Sequence, residues 1–272
     1  MKKLTALLLG AAMALSLAAC GSTAAVEETA STEGAAGEAA AVTTVTEGVL
    51  TMSTNAAFPP YEMTADDGSF EGIDIEVAAA IADKLGLELQ VDDMDFDAAL
   101  LAAQTGKSDM VMAGVTVTED RQTVMDFSDS YATGIQVVIV PEDSDIASID
   151  DMQGKMIGVQ RGTTGDLYCS DTVENGGFGA ENVTPYPDGL TAVQALMNGQ
   201  VDAVVIDNAP AQEFVEANPG LKILDTEYAN EEYAIGVAKG NTQLLDAING
   251  ALAELTEDGT IQSIVNKYIT AE

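Results

Sequence analysis

The chain contains no histidine and no tryptophan, and it has only two cysteines, Cys20 and Cys169, in 272 residues. Without histidine, Ser-His and Cys-His nucleophilic mechanisms are excluded, and so are zinc sites built on histidine. Cys20 belongs to an N-terminal targeting segment described below, so Cys169 has no partner for an intrachain disulfide. We expect Cys169 to be a passive helix residue, and we predict neither a metal nor a cofactor.

Basic residues are also scarce. Ten lysines and arginines stand against 45 aspartates and glutamates, which gives a formal net charge of −35. A charge of this sign disfavours nucleic acids and anionic membrane surfaces as partners, and it is typical of a chain that stays soluble outside the cell. We therefore predict no nucleic-acid partner.

The N-terminus has the pattern of a targeting segment. Lys2 and Lys3 precede an almost uninterrupted apolar stretch over 4–17, which is too short for a comfortable membrane span. The following Leu17-Ala18-Ala19-Cys20 resembles the lipobox of bacterial lipoproteins. The resemblance implies a signal peptide over 1–19 and an extracytoplasmic protein anchored to the cell membrane by lipid on Cys20. The alternative is an ordinary secretory signal with a chance cysteine.

A low-complexity stretch follows the cysteine. Residues 20–47 consist largely of Ala, Thr, Ser, Gly and Glu and contain no aromatic residue. Such a composition cannot bury enough apolar surface to fold, so we predict a lipidated and disordered tether over 20–47. The folded part is expected to begin near Gly48.

From there on, apolar β-prone runs alternate with segments of helical periodicity. The expected strands are 49–54, 87–91, 109–113, 134–140, 156–160, 202–206 and 233–238. The expected helices are 73–85, 97–105, a helix through 173 after the 161–165 loop, 190–197, 210–217, 241–255 and 260–269. The alternation predicts an α/β fold with a mostly parallel sheet, in which ligands bind at the carboxyl ends of the strands.

The chain has only two arginines, Arg121 and Arg161, and both lie in short Gly/Thr-rich segments after an apolar run. A guanidinium is a planar fork that matches a carboxylate bidentately. Neighbouring glycine and threonine leave backbone N–H groups and hydroxyls available to the same anion. The pattern favours a site for one small anionic group, and the alternative is that each arginine pairs with one of the many acids.

Eight short segments follow one another in a characteristic order. They are Phe58-Pro59-Pro60-Tyr61, Gly72-Ile73-Asp74-Ile75-Glu76, Met94-Asp95-Phe96-Asp97, the stretch 113–121, Asp126-Phe127-Ser128-Asp129-Ser130-Tyr131, Gly154-Lys155, Gly162-Thr163-Thr164-Gly165 and Val204-Val205-Ile206-Asp207. In this order they resemble the extracytoplasmic solute-binding proteins of ABC-type importers for polar amino acids. The resemblance covers residues 48–269, nearly the whole mature chain.

The resemblance implies a two-lobed fold of the type II periplasmic-binding-protein kind, with a mostly parallel sheet and flanking helices in each lobe. Lobe 1 is expected to contain residues 48–131 plus 233–272, and lobe 2 residues 136–227. Two hinge strands, near 131–135 and 228–232, are expected to join the lobes beside the ligand cleft.

The same resemblance implies the two poles of an amino-acid site. Arg121 is expected to bind the ligand α-carboxylate, helped by backbone N–H groups near Thr116 and by Thr164 at a helix N-terminus. Asp207 ends an apolar strand, where a charge is costly without a function, and it is expected to bind the α-ammonium. The Gly114 carbonyl and the Thr116 hydroxyl complete that shell.

The ligand side chain is expected to lie among aromatic residues. Phe58 and Phe96 match positions of aromatic rings in the family, although an aromatic residue can equally belong to the core, and Tyr61 is interpreted as structural. Strand alternation turns Gln160 and Arg161 to opposite faces, and the family resemblance implies that Gln160 is the one directed toward the ligand. Arg161 is then solvated or bridges the lobes.

Two polar residues bear on the kind of ligand. Asn55 is a neutral amide where relatives that bind basic ligands often have an acid, and it favours a neutral polar amino acid. Asp97 could restore a preference for cations, but its helix position makes it a candidate N-cap.

The predicted function is binding of a free amino acid and its delivery, by hinge closure, to an ABC permease in the membrane, by a protein that acts as a monomer. Two alternatives remain open at this point. One is an enzyme on the same fold, of the dehydratase or lyase type, with Asp97 or Asp207 as its acid. The other is a sensory ligand-binding module.

Overall fold

The computed structural model describes residues 42–225 and 227–269. The predicted signal peptide over 1–19, Cys20 and most of the predicted tether lie outside these ranges. Among the described helices, none combines the length and the apolar character that crossing a membrane requires.

Strands and helices alternate along the chain as the sequence predicts. In chain order, β1 to β12 are Val49–Thr54, Ala57–Phe58, Glu62–Thr64, Phe70–Glu71, Glu88–Asp93, Met110–Val111, Met125–Pro141, Ile157–Gln160, Val183–Tyr186, Ala203–Asp207, Leu221–Ile223 and Ala229–Ala238. The helices α1 to α8 are Ile73–Leu85, Phe96–Gln104, Glu119–Val124, Thr164–Ser170, Gly189–Met197, Asn208–Ala217, Thr242–Glu257 and Thr260–Tyr268.

The largest sheet has the strand order β5-β1-β6-β12-β7-β10-β8-β9, and β11 pairs with β7. At one end β1 is parallel to β5 and β6, and at the other end β8 is parallel to β9 and β10. We name the first end, with α1, α2, α3, α7 and α8, lobe 1, and the second end, with α4, α5 and α6, lobe 2. The two parallel ends and their helices confirm the predicted α/β, two-lobed architecture.

The middle of the sheet is antiparallel, because two long strands cross between the lobes. β7 pairs with β12 from Gln136 opposite Ala229 to Met125 opposite Ala238. β7 is also antiparallel to β10, and β12 is antiparallel to β6. These crossing strands occupy the region where the hinges are predicted; the exact lobe and hinge boundaries remain predictions.

Helix ends follow local sequence signals. α1 buries Ile73, Val77 and Ile81 on one face, and Gly86 ends it in the left-handed conformation, with its N–H bonded to the last-turn carbonyls. α2 begins one residue earlier than predicted, at Phe96, and its N-cap is Asp95. The interpretation of Asp97 as an N-cap is therefore wrong, because Asp97 already lies in the first helical turn.

Apolar core clusters pack both across the two lobes and within lobe 2. The largest core cluster extends from Leu50 and Ile81 in lobe 1, through the crossing strands, to Val193 and Phe214 in lobe 2. Cys169 lies on α4 in a second, lobe 2 cluster, and burial raises the pKa of its thiol to about 12. This placement agrees with the expectation of a passive helix residue. α4 ends at Ser170, short of the predicted 173, because the chain turns into a separate 3-10 turn.

Candidate functional site

All nine residues predicted to bind the ligand line one cavity between the lobes. They are Asn55, Phe58, Phe96, Gly114, Thr116, Arg121, Gln160, Thr164 and Asp207. The remaining lining residues are Glu62, Ala113 and Thr163. The structure thus brings the predicted set together, and the ligand-binding role of each residue stays a prediction.

Arg121 is a buried cation in the lining of the cavity. It lies on α3, where the Thr118 hydroxyl caps the helix by accepting from the Arg121 N–H. The guanidinium donates to the Thr116 carbonyl at 2.8 Å and to the Gly162 carbonyl at 3.1 Å. Within residues 42–225 and 227–269, no carboxylate forms an ion pair with it. Burial lowers its pKa, and the guanidinium keeps further N–H donors for an anion.

Asp207 is a buried anion on the other side of the cavity. It ends β10 and precedes α6, so the strand delivers its carboxylate at the carboxyl edge of the sheet. The Tyr233 hydroxyl, on β12, donates to one of its oxygens. Burial, and then the nearby Glu231 carboxylate, raise the pKa of Asp207 to about 7. Among the described residues, no cation forms an ion pair with the ionised form of this acid.

The Gly114 to Thr116 segment supplies polar groups between these two poles. Gly114 has φ 54, and a Cβ there would lie 2.9 Å from the Phe58 ring, so the position requires glycine. The Gly114 N–H donates to Asp74 at 3.0 Å, which fixes the loop from behind. The Thr116 hydroxyl donates to Glu231 at 2.8 Å.

Hydrogen bonds between described residues join the lobes at the cavity, and two of them come from Gln160 and Arg121. The Gln160 side chain, at the end of β8, donates to the Asn55 side-chain oxygen at 2.9 Å. The second bond is that from Arg121 of lobe 1 to the Gly162 carbonyl of lobe 2. Both bonds would break if the lobes separated, so the structure has the closed arrangement of the cleft.

The two aromatic residues that line the cavity lie on different elements. Phe58 lies on β2 and Phe96 opens α2, and both side chains are buried. The Arg121 guanidinium carbon lies 5.4 Å from the Phe96 ring centroid, within the range of a cation–π contact. Phe96 therefore lines the cavity and packs in the lobe 1 core at once.

Asp97 and Arg161 are exposed and do not line the cavity. The Asp97 carboxylate accepts from the Ala98 N–H. Arg161 forms no ion pair with another described residue. The structure thus favours the solvated interpretation of Arg161 and leaves Asp97 outside the ligand shell.

The sequence reasoning missed two buried acids. Glu62 follows the Phe58–Tyr61 segment, is fully buried and lines the cavity, and burial together with Asp74 raises its pKa well above its usual range. Glu231 lies on β12 just behind the lining and is also buried. A charge directly after an apolar, proline-containing segment was the one available signal for Glu62.

With this geometry established, comparison with known proteins gives the family. Residues 50–271 match the family model of bacterial extracellular solute-binding proteins, family 3. The chain belongs to this family of amino-acid-binding proteins of ABC transporters, which confirms the resemblance seen in the sequence. Its class is that of extracytoplasmic binding proteins and not of enzymes, so the dehydratase or lyase alternative is not favoured.

Individual relatives indicate the range of ligands in the family. The arginine-binding extracellular protein ArtP of Bacillus subtilis is 30% identical over 100% of both chains. The L-cystine-binding protein TcyJ of Escherichia coli K12 is 30% identical over 83% of this chain and 84% of its own. A solved ancestral arginine-binding protein bound to arginine is 41% identical, with a TM-score of 0.76 over 82% of this chain and 98% of that one.

One expectation gains no support from these names. The specificities named are for arginine and cystine, so the predicted preference for a neutral polar amino acid is not supported. The amide at Asn55, on which that expectation depended, bonds to Gln160 and to the Met94 carbonyl. Its polar atoms are thus committed to the protein, so it carries little information about the charge of a ligand.

Proposed function

We propose that the chain binds a basic free amino acid between its lobes and delivers it to an ABC permease by hinge closure. Arginine fits the site best. Arg121 binds the α-carboxylate and Asp207 binds the α-ammonium, while Phe58 and Phe96 flank the side chain.

A surplus of buried acid in the cavity is the observation that carries the preference for a basic ligand. Two carboxyl groups, of Asp207 and Glu62, line the cavity with one guanidinium, of Arg121. An amino acid with a neutral side chain brings equal positive and negative charge, so it supplies no cation that could stabilise the ionised form of Glu62. A cationic side chain can stabilise the ionised form of Glu62, and it supplies a donor to the side-chain oxygen of Gln160, which is buried without a hydrogen-bond partner among the described residues.

The raised pKa values support the same preference. Burial is the main cause that raises the pKa of Asp207 and of Glu62, since no cation of the described chain pairs with their ionised forms. A bound cation would supply that stabilisation. Binding of a basic amino acid is therefore expected to release protons.

Closure of the cleft follows from contacts to both lobes. Arg121 belongs to lobe 1, whereas Asp207 and Thr164 belong to lobe 2, so a ligand that touches all three favours the closed arrangement. The bonds from Gln160 to Asn55 and from Arg121 to Gly162 add to that arrangement. The closed form is the one that a permease would recognise.

Calorimetric titration tests the proposal. Protein from residue 21 onward, stripped of co-purified ligand, is titrated with L-arginine, L-lysine, L-histidine, L-cystine and L-glutamine. We expect dissociation constants of about 1 μM or less for arginine and at least about tenfold weaker binding of glutamine. Tighter binding of glutamine would overturn the basic preference, and the absence of binding by any amino acid would overturn the proposed function.

Glu62→Gln tests the carrying observation directly. The substitution removes one of the two lining carboxyls at nearly constant shape, so the preference for arginine over glutamine should fall by about tenfold. Glu71→Gln, at an exposed position on β4, is the matched control and should leave the preference unchanged. An unaltered preference in the Glu62 variant would contradict the assignment.

Lipid anchoring through Cys20 completes the proposal, and it is supported by the lipobox-like sequence. Cys20→Ser should move the chain from the membrane fraction to the extracytoplasmic soluble fraction. Retention of this variant at the membrane would contradict the anchor.

A further inference from the structure

Glu231 is a buried carboxylate that the family resemblance did not single out. It lies on the crossing strand β12, opposite Gly134 of β7, and only 5% of its surface is exposed. Its neighbour Glu232 is exposed. Burying an acid costs free energy, and the adjacent acid on this strand stays in solvent. The burial of Glu231 beside the cavity therefore requires a physical reason.

The hydrogen bonds of Glu231 connect the two lobes. One of its oxygens accepts both from the Thr116 hydroxyl of lobe 1, at 2.8 Å, and from the Gln136 amide of β7, at 3.1 Å. Gln136 is paired with Asp207 across the β7–β10 ladder, and its amide lies 3.5 Å from the Thr164 hydroxyl. One carboxylate oxygen thus organises groups from each side of the cleft.

These bonds also determine the polarity of Thr116. A hydroxyl can donate one hydrogen bond and accept others, and an ionised carboxylate can only accept. Since the Thr116 hydrogen is directed to Glu231, the Thr116 oxygen has only lone pairs for the cavity. Ionised Asp207 likewise offers only acceptor oxygens to the cavity, and the Tyr233 hydroxyl donates to one of them. The α-ammonium of an amino acid, with three donors and no acceptor, matches such a pole.

We propose that Glu231 is a positioning residue that turns Thr116 into an acceptor and adds negative charge to the ammonium pole. The site thereby selects α-amino acids over acids that lack the amino group. This inference rests on the proposed function, since it assumes an amino-acid ligand bound between Arg121 and Asp207.

The surroundings of Glu231 define the competing role. Arg121, Asp207 and the Tyr168 hydroxyl face it from α3, β10 and α4. If Glu231 acted mainly as a remote counter-ion for Arg121, its loss would change binding of the carboxylate and not of the ammonium. Analogues that lack one of the two groups separate these roles.

The test compares three probes on the wild-type chain, Glu231→Gln and Glu232→Gln. The probes are L-arginine, its des-amino analogue 5-guanidinopentanoate, and its decarboxylated analogue agmatine. In the wild type and the Glu232 control we expect arginine to bind at least about 100-fold more tightly than the des-amino analogue. In Glu231→Gln this ratio should fall to about tenfold or less, because arginine and agmatine weaken and the des-amino analogue does not.

Thr116→Val tests the same Thr116–Glu231 hydrogen bond by changing its donor. It removes the acceptor that Glu231 orients and should lower the same ratio, while the double variant should lose little more, because the two residues act as one unit. It also keeps the test decisive if Glu231→Gln does not fold.

Each outcome has one meaning. An unchanged ratio in Glu231→Gln, or an equal loss for arginine and the des-amino analogue, would overturn the inference while the proposed function stands. If wild-type protein binds none of L-arginine, L-lysine, L-histidine, L-cystine and L-glutamine, the proposed function fails and the inference fails with it. If one of the other four binds more tightly than arginine, that amino acid and its des-amino and decarboxylated analogues replace the three probes.

Discussion

At the scale of single residues, the candidate site is a set of buried charges that form no ion pair with other described residues. The Arg121 guanidinium donates hydrogen bonds to two backbone carbonyls, and the Asp207 carboxylate accepts one from a tyrosine hydroxyl. Isolated buried charges are destabilising, because water is lost and no opposite charge replaces it. A zwitterionic ligand supplies both missing partners, and this is the physical basis of the proposed site.

Replacing Arg121 tests the carboxylate pole. Arg121→Ala leaves a bound carboxylate buried without its cation, so we expect affinity for the amino acid to fall by about 100-fold or more. Arg161→Ala is a matched control in the same chain, because Arg161 is exposed and lies outside the cavity. Calorimetry measures the affinity of both variants for the amino acid. Equal affinities of the two variants would contradict the assignment of Arg121 to the carboxylate pole.

The pH dependence of binding tests the ammonium pole. The pKa of Asp207 is about 7, raised mainly by burial. Below that pH the carboxyl is protonated, and an ammonium must displace the proton to bind. Affinity should therefore weaken as pH falls from about 8 to about 5, approaching a tenfold loss per pH unit. Asp207→Asn should bind weakly and lose most of this dependence, whereas a wild-type affinity that is flat over this range would refute the assignment.

At the scale of elements, the long periodic segments were predictable and the short ones were not. The first strand, the helix after Gly72 and the two C-terminal helices agree with their periodicity to within a few residues. The short strands β2 to β4, β9 and β11 and the six-residue α3 contain too few residues to show a period. Strand β7 was predicted only from 134 because its first half is polar and half exposed, and pairing with β12 stabilises it instead.

A glycine on β7 permits the contact between the crossing strands and the site. A Cβ at Gly134 would lie 2.1 Å from the Tyr233 hydroxyl oxygen. Gly134→Ala must displace the ring that donates to Asp207, so we expect a loss of about 1–3 kcal/mol in stability and weaker ligand binding. Urea unfolding and calorimetry measure the two effects.

Gly250→Ala is the control for that substitution. Gly250 lies on α7, and no atom of the surrounding structure lies within 4 Å of the place that an alanine Cβ would occupy. Alanine should therefore stabilise the helix by about 0.5–1 kcal/mol. A Gly134 variant as stable as the wild type would show that Tyr233 adapts freely and that its bond to Asp207 does not depend on close packing.

At the scale of the whole molecule, stability depends on two neighbouring buried acids, Glu62 in the cavity lining and Asp74 behind it. Asp74 and Glu62 are both fully buried, and Asp74 holds the Gly114 N–H. Burial raises the pKa of Asp74 to about 6, so the folded state binds its proton more tightly than the unfolded chain does. The protein should therefore lose stability as pH rises from about 4 to about 6, by an amount on the order of 3 kcal/mol for this group.

Asp74→Asn tests this linkage. The amide oxygen can still accept from Gly114 but never ionises, so the variant should gain stability relative to wild type at about pH 7.5 compared with about pH 4.5. Urea unfolding at the two pH values measures the difference. Asp83→Asn, on the exposed face of the same helix, should show no such change. Parallel pH profiles for Asp74→Asn and wild type would contradict the linkage.

The site was predictable in so far as it consists of groups at strand ends within recognisable segments. Asp207 could be selected because a charge ends an apolar run, and Gln160 because of strand alternation together with the family resemblance. Arg121 could be selected because the chain has only two arginines and one of them belongs to a family segment. Glu62 and Glu231 could not, because the chain has 45 acids and only tertiary burial distinguishes these two. The charge preference that we propose for the cavity depends on such residues, and for this reason the sequence suggested a neutral ligand where we propose a basic one.

A crystal structure of the protein with bound L-arginine would show the orientation of the ligand between the two poles. We expect the α-carboxylate within hydrogen-bond distance of the Arg121 guanidinium, and the α-ammonium bonded to Asp207 and the Thr116 hydroxyl. The guanidinium of the ligand should lie between Phe58 and Phe96. A ligand bound in the reverse direction, or outside the cavity between the lobes, would contradict the proposed site.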